Sequence, residues 1–129
     1  AEDDNALSCY PLYWNVNGAT DASLDWYHKY RVLAVTLGDP AGHGETVEHA
    51  YAYEKPAWRY NTSPFVPSDE RTWSNWRGYQ KVTTLTGAAT GTRSRTVSTY
   101  LQGMHKDPRK AGGTRTVSVP GLDVAGLDV

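Results

Sequence analysis

An all-β fold built from consecutive antiparallel hairpins is what this sequence predicts, on three observations. Helical periodicity of apolar residues is nearly absent from the stretches free of Gly or Pro. Val, Thr and Ala outnumber Leu, no Ile is present, and Trp and Tyr supply fourteen of the fifteen aromatic residues, a composition suited to pleated strands. Two segments, moreover, read as strand, glycine-bearing turn and strand.

The first of these opens with Tyr30–Leu37 (YRVLAVTL), short and rich in β-branched residues, and closes with Thr46–Tyr53 (TVEHAYAY). The closing strand alternates, placing Val47, His49, Tyr51 and Tyr53 on one face and Thr46, Glu48, Ala50 and Ala52 on the other. GDPAGHG between them has the chemistry of a turn, so residues 30–53 form a hairpin. Tyr79–Thr86 (YQKVTTLT) and Arg93–Leu101 (RSRTVSTYL) flank a second turn, GAATGT, and give a hairpin over 79–101. Tyr30 and Tyr79 are 49 residues apart, and so are Tyr51 and Tyr100, a spacing that points to an internal repeat.

Between the hairpins, residues 55–78 hold three prolines and three tryptophans. Proline withholds a ladder donor, so this stretch reads as a connection rather than a continuous strand. At about 24 residues it is long for a compact fold, and Trp58, Trp73 and Trp76 are the side chains able to tie it down, each burying ~150–250 Å² when packed. Thr114–Val119 (TRTVSV) reads as a further strand stopped by Pro120 and Gly121. The end, GLDVAGLDV, is a short direct repeat without caps and reads as a frayed or excised terminus.

With 129 residues, 39% hydrophobic and 21% charged, the chain has the length of one domain or a piece of one. A net charge of −1 argues against a general nucleic-acid binder, which needs a basic excess. That total conceals an asymmetry: residues 1–64 carry four basic and nine acidic side chains, residues 65–129 nine and five. Two solvated faces that attract each other are the simplest consequence. The longest strictly aliphatic run, Val32–Val35, is far too short to span a bilayer, and the acidic start is not that of a signal peptide. A piece of a longer secreted precursor would carry the same start. Cys9 is the only cysteine, so no intramolecular disulfide or cysteine zinc site forms within the chain.

Chemistry is sparsely signalled. The four histidines lack the spacing that sets two imidazoles on one metal ion; His43 reads as a turn residue and His49 as a cross-strand neighbour of aromatics. No GxSxG elbow and no phosphate-binding glycine loop is present, and neither Asp25 with Asp39 nor Glu45 with Glu48 has a separation that the sequence determines. No catalytic residue, metal or cofactor is implied. Aromatic density is the strong signal. Trp58, Tyr60, Trp73, Trp76 and Tyr79 fall within 22 residues, and such rings serve either as the core that Ile and Phe would otherwise fill or as a stacking platform for a glycan or partner. The platform corresponds to a free-standing carbohydrate-binding β-sandwich.

At LDWYHKYRV, YAYE (Tyr51–Glu54), AWRYN, RTWSNWRGYQKVTT and TYLQGMHKDPRKAGGTRTVSV the chain resembles the large RHS/YD-repeat proteins of actinobacteria, over about Ser8 to Val119. In that family tandem tyrosine-bearing hairpins wind into a β-spiral shell that encloses a toxin, and the proteins are secreted or displayed at the cell surface. The resemblance implies a non-enzymatic structural or interaction segment of such a bacterial protein, with other segments of a parent chain, or a second copy, as its partners. The family's repeat favours Asp after Tyr-x-Tyr, where Glu54 stands here, and no toxin or self-cleaving motif of the family falls in this chain.

Overall fold

The computed structural model describes residues 5–119. Among them there is no α-helix; six strands, β1 (Cys9–Trp14), β2 (Ser23–His28), β3 (Ala34–Leu37), β4 (Val47–Arg59), β5 (Asn75–Gly87) and β6 (Ser94–Thr99), build one two-stranded and one four-stranded antiparallel sheet. The fold is therefore all-β with hairpin-joined strands, as the composition predicts, and the sheets do not close into a barrel. The chain gathers into two compact units. One takes the residues up to Lys29, Pro56–Gly78 and those from Leu101; the other takes Tyr30–Lys55 and Tyr79–Tyr100.

The second unit holds the two expected hairpins side by side, in the order β3-β4-β5-β6. Asp39 shapes the first turn: its carboxylate accepts hydrogen bonds from the backbone N–H groups of Ala41, His43 and Gly44 at 2.9–3.0 Å. These bonds hold its pKa below the usual carboxylate value. The acidic and basic stretches of the sequence meet in this sheet, where Glu48 pairs with Arg93 at 3.0 Å and Glu54 with Lys81 at 2.8 Å. Partly exposed pairs near a surface contribute about 0.2–1 kcal/mol each, so they orient the hairpins more than they hold them.

The 49-residue spacing does not carry into the pairing. A strict repeat would map the Ala34↔Ala50 pair onto Thr83 and Thr99, whereas Thr99 lies opposite Lys81. The slip is two residues, which preserves the faces because side chains alternate with period two. It arises from the turns, with nine residues between Leu37 and Val47 but seven between Thr86 and Ser94.

The first unit contains a hairpin that the sequence reading did not predict. β1 and β2 pair from Cys9↔His28 to Trp14↔Ser23 around a 3-10 turn, Val16–Gly18, in which Asn17 and Gly18 take left-handed φ of 52° and 77°. Its core is Trp58, Trp73 and Met104, with Ala57 and Val119. The indole N–H of Trp58 donates to the Leu7 carbonyl at 2.8 Å, and the Thr72 hydroxyl donates to the Pro11 carbonyl at 2.6 Å. Tyr10 stacks on Trp58 at 4.5 Å, and Trp76 tilts against it at 4.7 Å.

Two expectations are corrected. The connection 55–78 is shorter than its prolines suggest, because β4 runs through Pro56 to Arg59 and β5 begins at Asn75. Lys55 takes φ 53° immediately before Pro56, and Gly78 takes φ 81° within β5; a left-handed residue in a strand is the geometry of a bulge, which accommodates a missing donor while the strand continues. What remains of the connection, residues 60–74, is tied down by its own groups, with Asn61 N–H to Thr72 carbonyl at 2.9 Å and Arg71 Nε to Val66 carbonyl at 3.0 Å. The segment Thr114–Val119 is not a strand. It makes one isolated bridge, Pro108↔Thr114, because Asp107 and Lys106 bond the Arg115 backbone across a tight loop that leaves no second strand alongside. Pro120 and the GLDVAGLDV repeat lie outside the described residues, as does the acidic start.

Candidate functional site

The aromatic cluster singled out by the sequence is divided by the structure. Trp58 is 1% exposed and Trp73 5%, so neither presents a ring face to a glycan; both are core. Tyr60, 5.1 Å from Trp73, and Trp76 are half-buried against them. Tyr79 belongs to the other unit, where its ring lies 4.6 Å from that of Tyr53. Burial pushes the Tyr53 phenol upward, aided by the neighbouring Tyr51 and Tyr79 and opposed by Arg31; its hydroxyl donates to the Val32 carbonyl at 2.8 Å.

A concave site the sequence did not assemble lies in the first unit. It is a cleft of about 520 Å³ lined by Leu7, Pro11, Tyr13, Leu24, Trp26 and Trp73, with Lys110 at its rim. The Lys110 ammonium stands 5.7 Å above the Trp73 ring, within cation–π range. Trp26 is 66% exposed. Part of the polar lining is already engaged: Asn5 bonds the Cys9 carbonyl and the Leu7 N–H, and Thr72 bonds Pro11. The cleft can therefore receive an apolar group, but it has few directional groups with which to orient one. Crowding of aromatics in residues 10–30 was the signal for it; the packing of Trp73 and Lys110 against that run was not visible in sequence.

Several titratable residues make structural contacts. Asp25 accepts the Trp14 indole N–H at 2.6 Å, and Asp39 and Glu48 are held as described. His43 sits in the Asp39 turn, while His49, opposite Val35, bonds the Thr86 hydroxyl at 3.0 Å. Arg59 and Asp107 approach to 3.0 Å as a largely covered ion pair. Among the described residues no three His, Cys, Asp or Glu side chains gather closely enough to hold a metal ion, and no helix is long and apolar enough to cross a membrane.

The remaining feature is the four-stranded sheet itself. Among the described residues its outer strands have no further neighbour; every residue of β3 is exposed, and β6 is exposed except at the half-buried Ser98. Val35 and Leu37 in β3, Val32 and Leu33 just before it, Val97 in β6 and Tyr100 just after it are exposed apolar side chains. Unpaired strand edges of this kind are templates for another strand. No family model, curated protein or solved structure matches the chain.

Proposed function

We propose that this chain is a non-enzymatic structural and interaction segment of a larger secreted bacterial protein of the RHS/YD-repeat, toxin-associated kind, a stretch of hairpin sheet continued by neighbouring segments. The observation that carries this reading is the four-stranded sheet whose outer strands have no further partner among the described residues, with exposed apolar side chains in or beside each. A free-standing module would be expected to blunt such edges with lysine, proline or a covering loop. Burial of Trp58 and Trp73 favours this reading over a carbohydrate-binding platform, because a sugar ring needs an accessible aromatic face.

The test is to determine the residues that flank this chain in its parent protein and to produce the segment with one additional hairpin on each side. Tyrosine-bearing hairpin repeats are expected there, and their strands should slow amide exchange at the outward-facing positions of β3 and β6. Flanks without such repeats, or unchanged exchange at both edges, would overturn the proposal.

A further inference from the structure

β3 differs from β6 as an edge. Arg95 lies within β6, with Arg93 just before it, and its other residues are mostly hydroxylated; Ala34–Leu37 has no charge, no proline and no bulge, and all four residues are exposed. The usual devices that keep an edge strand from pairing are thus absent from β3.

Its hydrogen-bonding phase can be read from its partner. The Tyr51 N–H donates to the Leu33 carbonyl at 2.8 Å, and the register continues through Val35↔His49 and Leu37↔Val47. In an antiparallel ladder the backbone groups alternate direction. Leu33, Val35 and Leu37 therefore turn their N–H and C=O groups toward β4, while Ala34 and Thr36 turn theirs outward.

We propose that β3 is a self-complementary docking edge, at which a second copy of this chain adds its own β3 antiparallel about a two-fold axis through Val35. That register sets Ala34 opposite Thr36 of the second copy and Thr36 opposite its Ala34, so the outward backbone groups meet as hydrogen-bonded pairs. It sets Leu33 against Leu37, Val35 against Val35 and Leu37 against Leu33 in the non-hydrogen-bonded positions, where side chains come closest. Continued one step further, it brings Arg31 opposite Asp39, a charge-complementary pair made twice by the symmetry. Such an interface is small, and closed two-fold association is the commonest arrangement for identical chains. The inference goes beyond the shell reading and concerns the segment by itself, because a neighbouring hairpin of a parent chain would take the same β3 edge; unmatched flanking sequence would defeat that reading and leave this one untouched.

Three measurements decide it. In sedimentation velocity the unaltered chain should pass from monomer to a limiting dimer over a range of roughly 10 μM to 1 mM, and the Ala34 and Thr36 amides should gain exchange protection with concentration while Val35 and Leu37 do not. In a Cys9→Ser background, Val35→Cys under a glutathione redox couple should give a disulfide-linked dimer, and Ala34→Cys, displaced by two residues from its own copy, should give at least tenfold less. Arg31→Glu should weaken dimerisation by about two- to thirtyfold, from two cross-strand charge pairs. A monomer across the whole range with flat exchange at Ala34 and Thr36 would overturn the proposal. So would equal cross-linking at positions 34 and 35, or a mass that keeps growing with concentration, which would mean β3 pairing with β6 in an open ladder.

Discussion

Removal of the Trp58 ring should be the most damaging single truncation in this chain. Its side chain is 1% exposed, stacks on Tyr10, tilts against Trp76 and donates its N–H to the Leu7 carbonyl. Burying ~150–250 Å² at ~25 cal/mol per Å² corresponds to about 4–6 kcal/mol as an upper estimate. The hydrogen bond adds only about 1 kcal/mol, since water can reach the exposed Leu7 segment and satisfy its carbonyl. Large aromatic truncations in cores cost ~3–5 kcal/mol, so Trp58→Ala should destabilise the first unit by about 4 kcal/mol, a large share of a total of ~5–15 kcal/mol. With a urea slope near ~2 kcal/mol per M, the midpoint should fall by about 2 M. Near-ultraviolet circular dichroism and the fluorescence of the remaining tryptophans report the transition. Trp58→Phe, which keeps a ring but loses the indole N–H, should cost only about 1–2 kcal/mol. A loss below about 1 kcal/mol for Trp58→Ala would refute the assignment of Trp58 to the core and return it to the role of an accessible platform.

Other consequences follow from the same geometry. Trp26, two-thirds exposed at the cleft, should be the tryptophan most quenched by iodide, and Trp26→Ala should change stability by less than about 0.5 kcal/mol in urea unfolding. Lys55 holds a left-handed φ before Pro56, so Lys55→Gly should stabilise by about 0.5–1 kcal/mol in the same assay. Gly78→Ala should destabilise by about 1–2 kcal/mol for purely conformational reasons, since a Cβ there meets no atom within 4 Å. Asp39 has a lowered pKa in the folded chain, so the stability it contributes is present above its unfolded value near ~3.9 and is lost as pH falls through the folded value. Amide exchange in the Gly38–Gly44 turn, followed at fixed temperature, should accelerate in acid beyond its intrinsic pH dependence, and Asp39→Ala should abolish that excess.

The legible part of the fold was the part written in period two. Val47, His49, Tyr51 and Tyr53 alternate, the glycine turns bracket them, and the β3-β4 and β5-β6 hairpins appear where those signals fall. The β1-β2 hairpin escaped notice because an eight-residue loop, closed by left-handed Asn17 and Gly18, replaces the short turn that marks a hairpin in sequence. Pro56 misled for a related reason: a missing donor ends a regular strand, but the left-handed Lys55 provides a bulge through which β4 continues. The aromatic cluster was legible as a cluster. Its division into buried Trp58 and Trp73 and half-buried Tyr60, Trp76 and Tyr79 was not, because burial depends on β1 and the segment around Met104 and Asp107, both distant in sequence.

The sequence by itself determined an all-β chain with an aromatic core and two opposed charge stretches, since composition and alternation act locally and every strand must obey them. Only the tertiary structure decided which rings are core, that the two hairpins slip by two residues from a strict repeat, and that β3 lies at an open edge with Ala34 and Thr36 facing outward. Those outcomes depend on turn length and on contacts between residues tens of positions apart, for which a linear pattern holds no record.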